Sequence, residues 1–500
     1  MLNSQKMSNL AVVKHLSANF KAMGKYTTII SDLRSFFSKS EENRALYCIM
    51  RVMEHINIRS RQIGVEKKDN CKFTNVQMLQ LLILFPFFMV KNAHRYKDSS
   101  LRRMFECEKD MFYRFMNNGN IRWRDLLYVM NTQLLRKIRR STNAKGDKPV
   151  CLIIDDTDAP KTGKKAELIG KVHSHLLHKN ILGYKCLTLL LTDGLSQLML
   201  DFSLHGEDGK NPDRKQGLTN KERKARFTES HEGEAVQERI KEYAQKKTDK
   251  AIEMVKNAIK HGIRFDYLLC DSWFTNADFV RLITSRHIKC NLLGMIKLGN
   301  TKYHTEYGDM DARQIIKKLQ KLGLCKQNKT LKCTYCTIDV KFAGTTVRLF
   351  FCKRGRKGQW NGLLTTDLTL SFLKAYRTYA IRWTTEVAYH DCKTLLNLGK
   401  CQSVHFSAQI ASFTLTMMQY NILCTVKRFE SYETLGALFS KVTDDTLELS
   451  VSDKIWELIM DAILAIAEFI SADASELLTA IVNENPKFYK LLQLYKLNAA

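Results

Sequence analysis

Proline is scarce, with five in 500 residues, too few for a stiff extended linker between domains. No internal repeat or low-complexity stretch is present, which excludes solenoids and disordered arrays. Long apolar runs are missing as well. The longest, Leu81 to Val90, is interrupted by Pro86 and is about half of the ~20 residues needed to cross a bilayer. The first residues lack the pattern of a secretory signal. A soluble, cytoplasmic protein with no membrane partner is therefore expected. The 14 cysteines are scattered like reduced core thiols, without the spacing of a disulfide framework. Cys325, Cys333, Cys336 and Cys352 suggest a zinc ribbon. However, Cys333 and Cys336 lie three apart in a strand-like run, on opposite faces, so zinc is not expected there.

Acid is short relative to base. Lys+Arg number 79 against 51 Asp+Glu, a net charge of +28, which points to a polyanionic partner such as DNA. The imbalance is uneven. From Glu430 to Ala500 there are 12 acids and 5 bases, whereas the preceding chain carries 74 bases and 39 acids. The basic body is thus the nucleic-acid surface to expect, and the acidic end is not.

Four regions follow from composition and periodicity. Residues 1–148 are helical and basic, with candidate helices over 42–55, 74–85, 109–117 and 122–140. They are expected to form a DNA-binding domain. Val150-Cys-Leu-Ile-Ile then runs directly into Asp155-Asp156-Thr157-Asp158. This is the pattern of a central strand buried on both faces, with acids at its end. Three carboxylates in four residues repel one another unless a cation neutralises them. A hairpin (184–191 and 197–204), a basic arm (210–226) and a helix (232–261) lead to a second apolar run ending in Asp271. Residues 149–287 and 370–429 thus read as one α/β core. Between them, 288–369 reads as a β-rich insertion whose basic tip, Lys353 to Trp360, contains Arg354 and Arg356. Residues 430–500 read as acidic C-terminal helices.

Near the end of the core lies Tyr379-Ala-Ile-Arg382-Trp-Thr-Thr-Glu386-Val-Ala-Tyr-His-Asp-Cys-Lys393. At about 100° per residue, Tyr379, Arg382, Glu386 and Lys393 share one helix face within roughly 60°. A carboxylate so placed can ligate a hard metal, with Arg and Lys beside it for phosphate oxygens. The Y-x2-R-x3-E-x6-K spacing resembles that of bacterial insertion-sequence transposases with a DDE active site and a YREK helix. The order strand with acid, hairpin, helix, strand with acid, helix with acid resembles an RNase H-like fold.

The resemblance covers roughly Val150 to Phe429. It implies Asp156, Asp271 and Glu386 as catalytic and metal-binding acids, with Asp155 a rival to Asp156 because one residue of register changes the face. The chain departs from the better-known subgroup at Ser272-Trp273, where that subgroup has Arg-Glu. The implied cofactor is Mg2+ or Mn2+, two ions about 3.5–4 Å apart. Tyr379, Arg382, Lys393, Arg354, Arg356 and Trp360 would contact DNA, Trp360 by stacking on a flipped base. The implied partners are double-stranded DNA, as element ends and target, and a second copy of the chain on that DNA. Two other readings use the same residues: a structure-specific nuclease, which nicks without joining, and a transposase-derived binder, which shifts DNA without cutting.

Overall fold

The computed structural model describes residues 29–34, 44–65, 72–140, 148–174, 177–207, 214–228, 233–285, 288–355, 357–430 and 432–471, together with 473, 476 and 477. The chain divides into two compact units, 119–424 and the pair 1–118 with 425–500.

The larger unit is built on a mixed sheet. Its strands are β1 (Cys151–Pro160), β2 (Gly170–Ser174), β3 (Lys179–Thr192), β4 (Gln197–His205), β5 (Tyr267–Cys270) and β6 (Asn291–Ile296). They continue with β7 (Lys302–Thr305), β8 (Gly308–Asp311), β9 (Lys326–Asn328), β10 (Cys333–Phe342), β11 (Thr345–Arg354) and β12 (Trp360–Thr365). The order is β2-β3-β1-β5-β6-β12-β11-β10-β7-β8, with β4 also on β3 and β9 also on β10. β3 is long enough to pair with β2 through its first residues and with β4 through its last. Its close approach to β1 depends on Gly183, where a Cβ would stand 2.3 Å from the Ala159 carbonyl oxygen.

The run β4-β3-β1-β5-β6, with β3 antiparallel to β1 and β5 and β6 parallel to it, is the RNase H-like α/β core expected from the order of elements. Leu152, Ile153 and Ile154 in β1 and Leu268 and Leu269 in β5 are fully buried, because helices cover both faces of a parallel centre. β6 falls in the stretch expected to be insertion, yet it pairs with β5 as a core strand. β12 then adds antiparallel to β6, so the insertion extends the core sheet.

Two segments differ from sequence expectation. The helix Trp123–Arg140, placed by composition with the N-terminal region, belongs to the sheet unit. Its Arg124 bridges Asp201 on β4 (2.8 Å) and Glu242 on the helix Glu234–Ala244. The long helix expected over 232–261 is two helices, Glu234–Ala244 and Lys247–Lys260, because Gln245 and Lys246 take extended backbone angles.

In the smaller unit the acidic helix Leu435–Phe469 packs with the N-terminal helices and does not stand as a separate region. It buries Leu435, Leu438 and Val442, Glu448 pairs with Arg44 at 2.6 Å and Asp445 accepts the Leu46 N–H at 3.0 Å, while Glu430, just before the helix, pairs with Arg51 at 2.6 Å. Among the described residues no helix is long and apolar enough to cross a membrane.

Candidate active site

The parallel register sets Ile154 beside Cys270. The next residues, Asp155 and Asp271, therefore leave neighbouring strands at the same level, on the carboxyl edge of the sheet. Alternation along β1 sends Asp155 and Thr157 to one face and Asp156 and Asp158 to the other.

The helix Thr384–Thr394 crosses the first of these faces. The Tyr389 hydroxyl and Thr188 Oγ1 lie 2.5 Å apart, and Thr188 is the β3 partner of Asp155. Lys393 Nζ donates to Thr157 Oγ1 at 2.7 Å. Arg382 donates through Nη1 to Asp155 Oδ2 at 2.5 Å and through Nη2 to Glu386 Oε1 at 3.2 Å. One guanidinium thus joins the strand acid to the helix acid. The helical path reaches Glu386 through a 3-10 turn, Ile381–Trp383, between the α-helices Phe372–Ala380 and Thr384–Thr394. Such a turn inside a helix often marks a functional position.

Asp271 follows β5 and caps the turn that comes next. Its Oδ1 accepts the N–H groups of Trp273 (2.8 Å) and Phe274 (3.2 Å), and Thr275 Oγ1 donates to its carbonyl. Tyr379 stands with its ring 6.0 Å from the Arg382 guanidinium carbon. Burial raises its hydroxyl pKa above the usual range, partly opposed by Arg382, and the nearby Asp271 charge adds to the rise.

Burial also lifts the Asp155 carboxyl from an ordinary 3.8 to about 7, with Arg382 opposing the rise and Asp271 reinforcing it. Burial holds Lys393 below its usual range, against the pull of Asp158. A carboxyl that titrates near neutrality beside a second acid is a frequent mark of a working site.

Asp156 is placed elsewhere. It meets Lys247 Nζ at 2.7 Å and Lys185 Nζ at 3.6 Å, and Lys185 also holds Asp158 at 2.6 Å. The motif residue expected to carry the first acid thus sits in an ion-pair network on the far face. Its rival Asp155 stands with Arg382, Glu386 and Asp271.

Of the expected DNA contacts, Arg354 lies exposed with Nη2 3.2 Å from the Tyr376 hydroxyl. Arg356 lies outside the described residues. Trp360 is half-buried and opens β12 opposite Lys353, at the base of the β11–β12 hairpin.

Two tryptophans that sequence did not single out flank the acids. Trp273 is 55% exposed and Trp383 63% exposed. Lys297 Nζ lies 4.1 Å from the Trp273 ring centre and Lys247 Nζ 5.8 Å. Exposure of so large an apolar side chain is the unusual feature. Their adjacency to Asp271 and Arg382 was the one signal in the sequence.

The donors that face one another are all carboxylate oxygens, a set that suits Mg2+ or Mn2+ better than zinc. Among the described residues no three carboxylate, histidine or cysteine groups stand close enough to hold a metal ion. Arg382 is seated between Asp155 and Glu386.

Residues 99–297 match the family described as DDE superfamily endonuclease. The matched stretch contains Asp155, Asp156 and Asp271 and ends before Glu386. No curated protein matches the chain. Among solved structures, a similar one is the cryo-EM structure of the piggyBac transposase synaptic complex with hairpin DNA. It shows 11% sequence identity and a TM-score of 0.39, over 83% of this chain and 83% of that one. That likeness is too distant to carry residue roles across.

Proposed function

We propose that the protein is a DNA transposase that cleaves DNA at the ends of a mobile element of the insertion-sequence type and joins those ends to a target. Asp155, Asp271 and Glu386 hold Mg2+ or Mn2+ in this reading, with Asp155 in the part that spacing gave to Asp156. The observation that supports it is the joining of Asp155 and Glu386 by Arg382, with Asp271 following the strand parallel to that of Asp155.

Asp155, Asp271 and Glu386 would hold the ions, whose chemistry would be to activate a water or 3′-hydroxyl and to offset charge on the leaving oxygen of a phosphodiester. The chain's own residues do the rest. Asp271, with one oxygen fixed by two backbone N–H groups, keeps a defined orientation. Lys393 anchors the end of the helix against Thr157 and presents a cation to a nearby phosphate. Tyr379 offers a hydroxyl to the same strand. Trp273 and Trp383 offer stacking faces to bases that leave the duplex beside the cut, with Lys297 near the backbone. Trp360 and Arg354 lie further along the insertion and support the DNA there. Two copies of the chain bring two element ends together.

A nuclease reading has its own support in the endonuclease description of the family matched over 99–297. The site would be the same, and only strand joining separates the two. The test is a plasmid carrying the element's own ends, incubated with Mn2+. Joined products support transposition, nicks without joining support the nuclease, and a mobility shift without cuts rejects both. Glu386→Gln should keep DNA bound and lose cutting; full cutting by that variant would reject the site.

A further inference from the structure

Arg382 uses both terminal nitrogens on protein acids. Nη1 is taken by Asp155 and Nη2 by Glu386, and the side chain is only 16% exposed. A guanidinium grips a phosphate best through two parallel N–H donors, and here one hydrogen of each terminal nitrogen is already held by a protein acid, which fixes the group's orientation. The same two carboxylates belong to the set given above to the divalent ion, so the inference rests on that reading. With Arg382 between them, the acids do not close into a metal site.

We propose that Arg382 and the divalent ion exclude each other at Asp155 and Glu386, so that metal binding releases Arg382 to a DNA phosphate. Three physical points support the exchange. A doubly charged ion neutralises clustered carboxylates more fully than one guanidinium. The 3-10 turn Ile381–Trp383 carries Arg382 between two α-helices, where a small change of helical winding moves it without unfolding either. Tyr379, whose ring faces the guanidinium, gives the released side chain a surface to lean on.

The consequence is reciprocal coupling. DNA that captures Arg382 clears the acids for metal, and metal that claims the acids frees Arg382 for DNA. The metal-free protein then holds its acids neutralised, and the site becomes competent only when both partners are present.

The experiment is titration of the full chain with Mn2+, followed by calorimetry and by electron paramagnetic resonance. It is run alone and with a duplex already nicked at the scissile position, keeping the 5′-phosphate and ending in a 3′-deoxy nucleotide so that it cannot react further. Wild type should bind Mn2+ about ten-fold more tightly with the duplex present, within the usual range for coupled sites. Arg382→Gln should bind Mn2+ about ten-fold more tightly than wild type without DNA, and the duplex should no longer shift it.

Equal or weaker Mn2+ binding by Arg382→Gln overturns the exchange while leaving the proposed function intact. Failure of wild type to bind Mn2+ under either condition removes the proposed function itself. Should Arg382→Gln fold poorly, Arg382→Lys serves instead: it keeps the charge but cannot span both carboxylates, and must also raise DNA-free Mn2+ affinity.

Discussion

Adjacent residues Asp155 and Asp156 should respond in opposite directions to the same substitution. Burial pushes the Asp155 carboxyl up from an ordinary 3.8 to about 7. A raised carboxyl pKa means that ionised Asp155 opposes folding. The penalty is absent below about pH 4, grows as pH rises from 4 to 7, and is complete above 7. Three pKa steps of about 1.4 kcal/mol each give roughly 4 kcal/mol, so Asp155→Asn should stabilise the chain by about 2–4 kcal/mol at pH 8 and by little at pH 4.

Asp156 is engaged by Lys247 and Lys185. Breaking a buried pair costs about 3–5 kcal/mol, but Lys185 keeps Asp158 and Lys247 keeps Glu207. Asp156→Asn should therefore destabilise by about 1–3 kcal/mol. Denaturant unfolding in EDTA at pH 4 and pH 8 gives the stabilities, and Mn2+-dependent plasmid nicking gives the activity. Asp155→Asn should be the more stable and inactive variant, Asp156→Asn the less stable and active one. A folded Asp156→Asn that cannot nick, or an Asp155→Asn no more stable than wild type at pH 8, would refute the assignment of faces.

Burial pushes His205 down to about 4, helped by the Lys247 charge. Its contribution should therefore be present above pH 6.5 and lost as pH falls from 6.5 to 4, about 3 kcal/mol in all. His205→Gln should flatten that part of the stability profile, and an unchanged profile would count against it. Trp273→Ala should weaken binding of a duplex with an unpaired base at the cut by about 1–3 kcal/mol, measured by 2-aminopurine quenching. Trp360→Ala should have the smaller effect, and the reverse order would return stacking to the insertion. Arg124→Leu leaves Asp201 and Glu242 buried with one cation fewer and should cost about 3–5 kcal/mol in a thermal melt; a loss under about 1 kcal/mol would show the network to be dispensable.

What sequence made legible was whatever a residue and its near neighbours settle between them. Val150 to Ile154 and Tyr267 to Cys270 are apolar without interruption, and each ends in an acid, so both central strands and their functional edge could be read directly. The hairpin of β3 and β4 followed from Asp193-Gly194. β2 was missed because it is only five residues long, with Val172 its single large apolar side chain, and pairs only with the overhanging start of β3. Whether Asp155 or Asp156 is the working acid is a question of another kind. Alternation guarantees that they part company, but which face becomes the site depends on which helix arrives there. That choice is made by contacts more than 200 residues away, Arg382 with Asp155 and Tyr389 with Thr188. The opposite face is filled by Lys247, which reaches Asp156 from the first position of the second helix, after the chain breaks at Gln245 and Lys246. Trp273 and Trp383 were passed over for the same reason: exposure belongs to the assembled surface, and only the fold shows that two such rings stand uncovered beside the acids. Local pattern therefore located the edge of the sheet, and long-range packing chose the side of the strand on which its chemistry is proposed to occur.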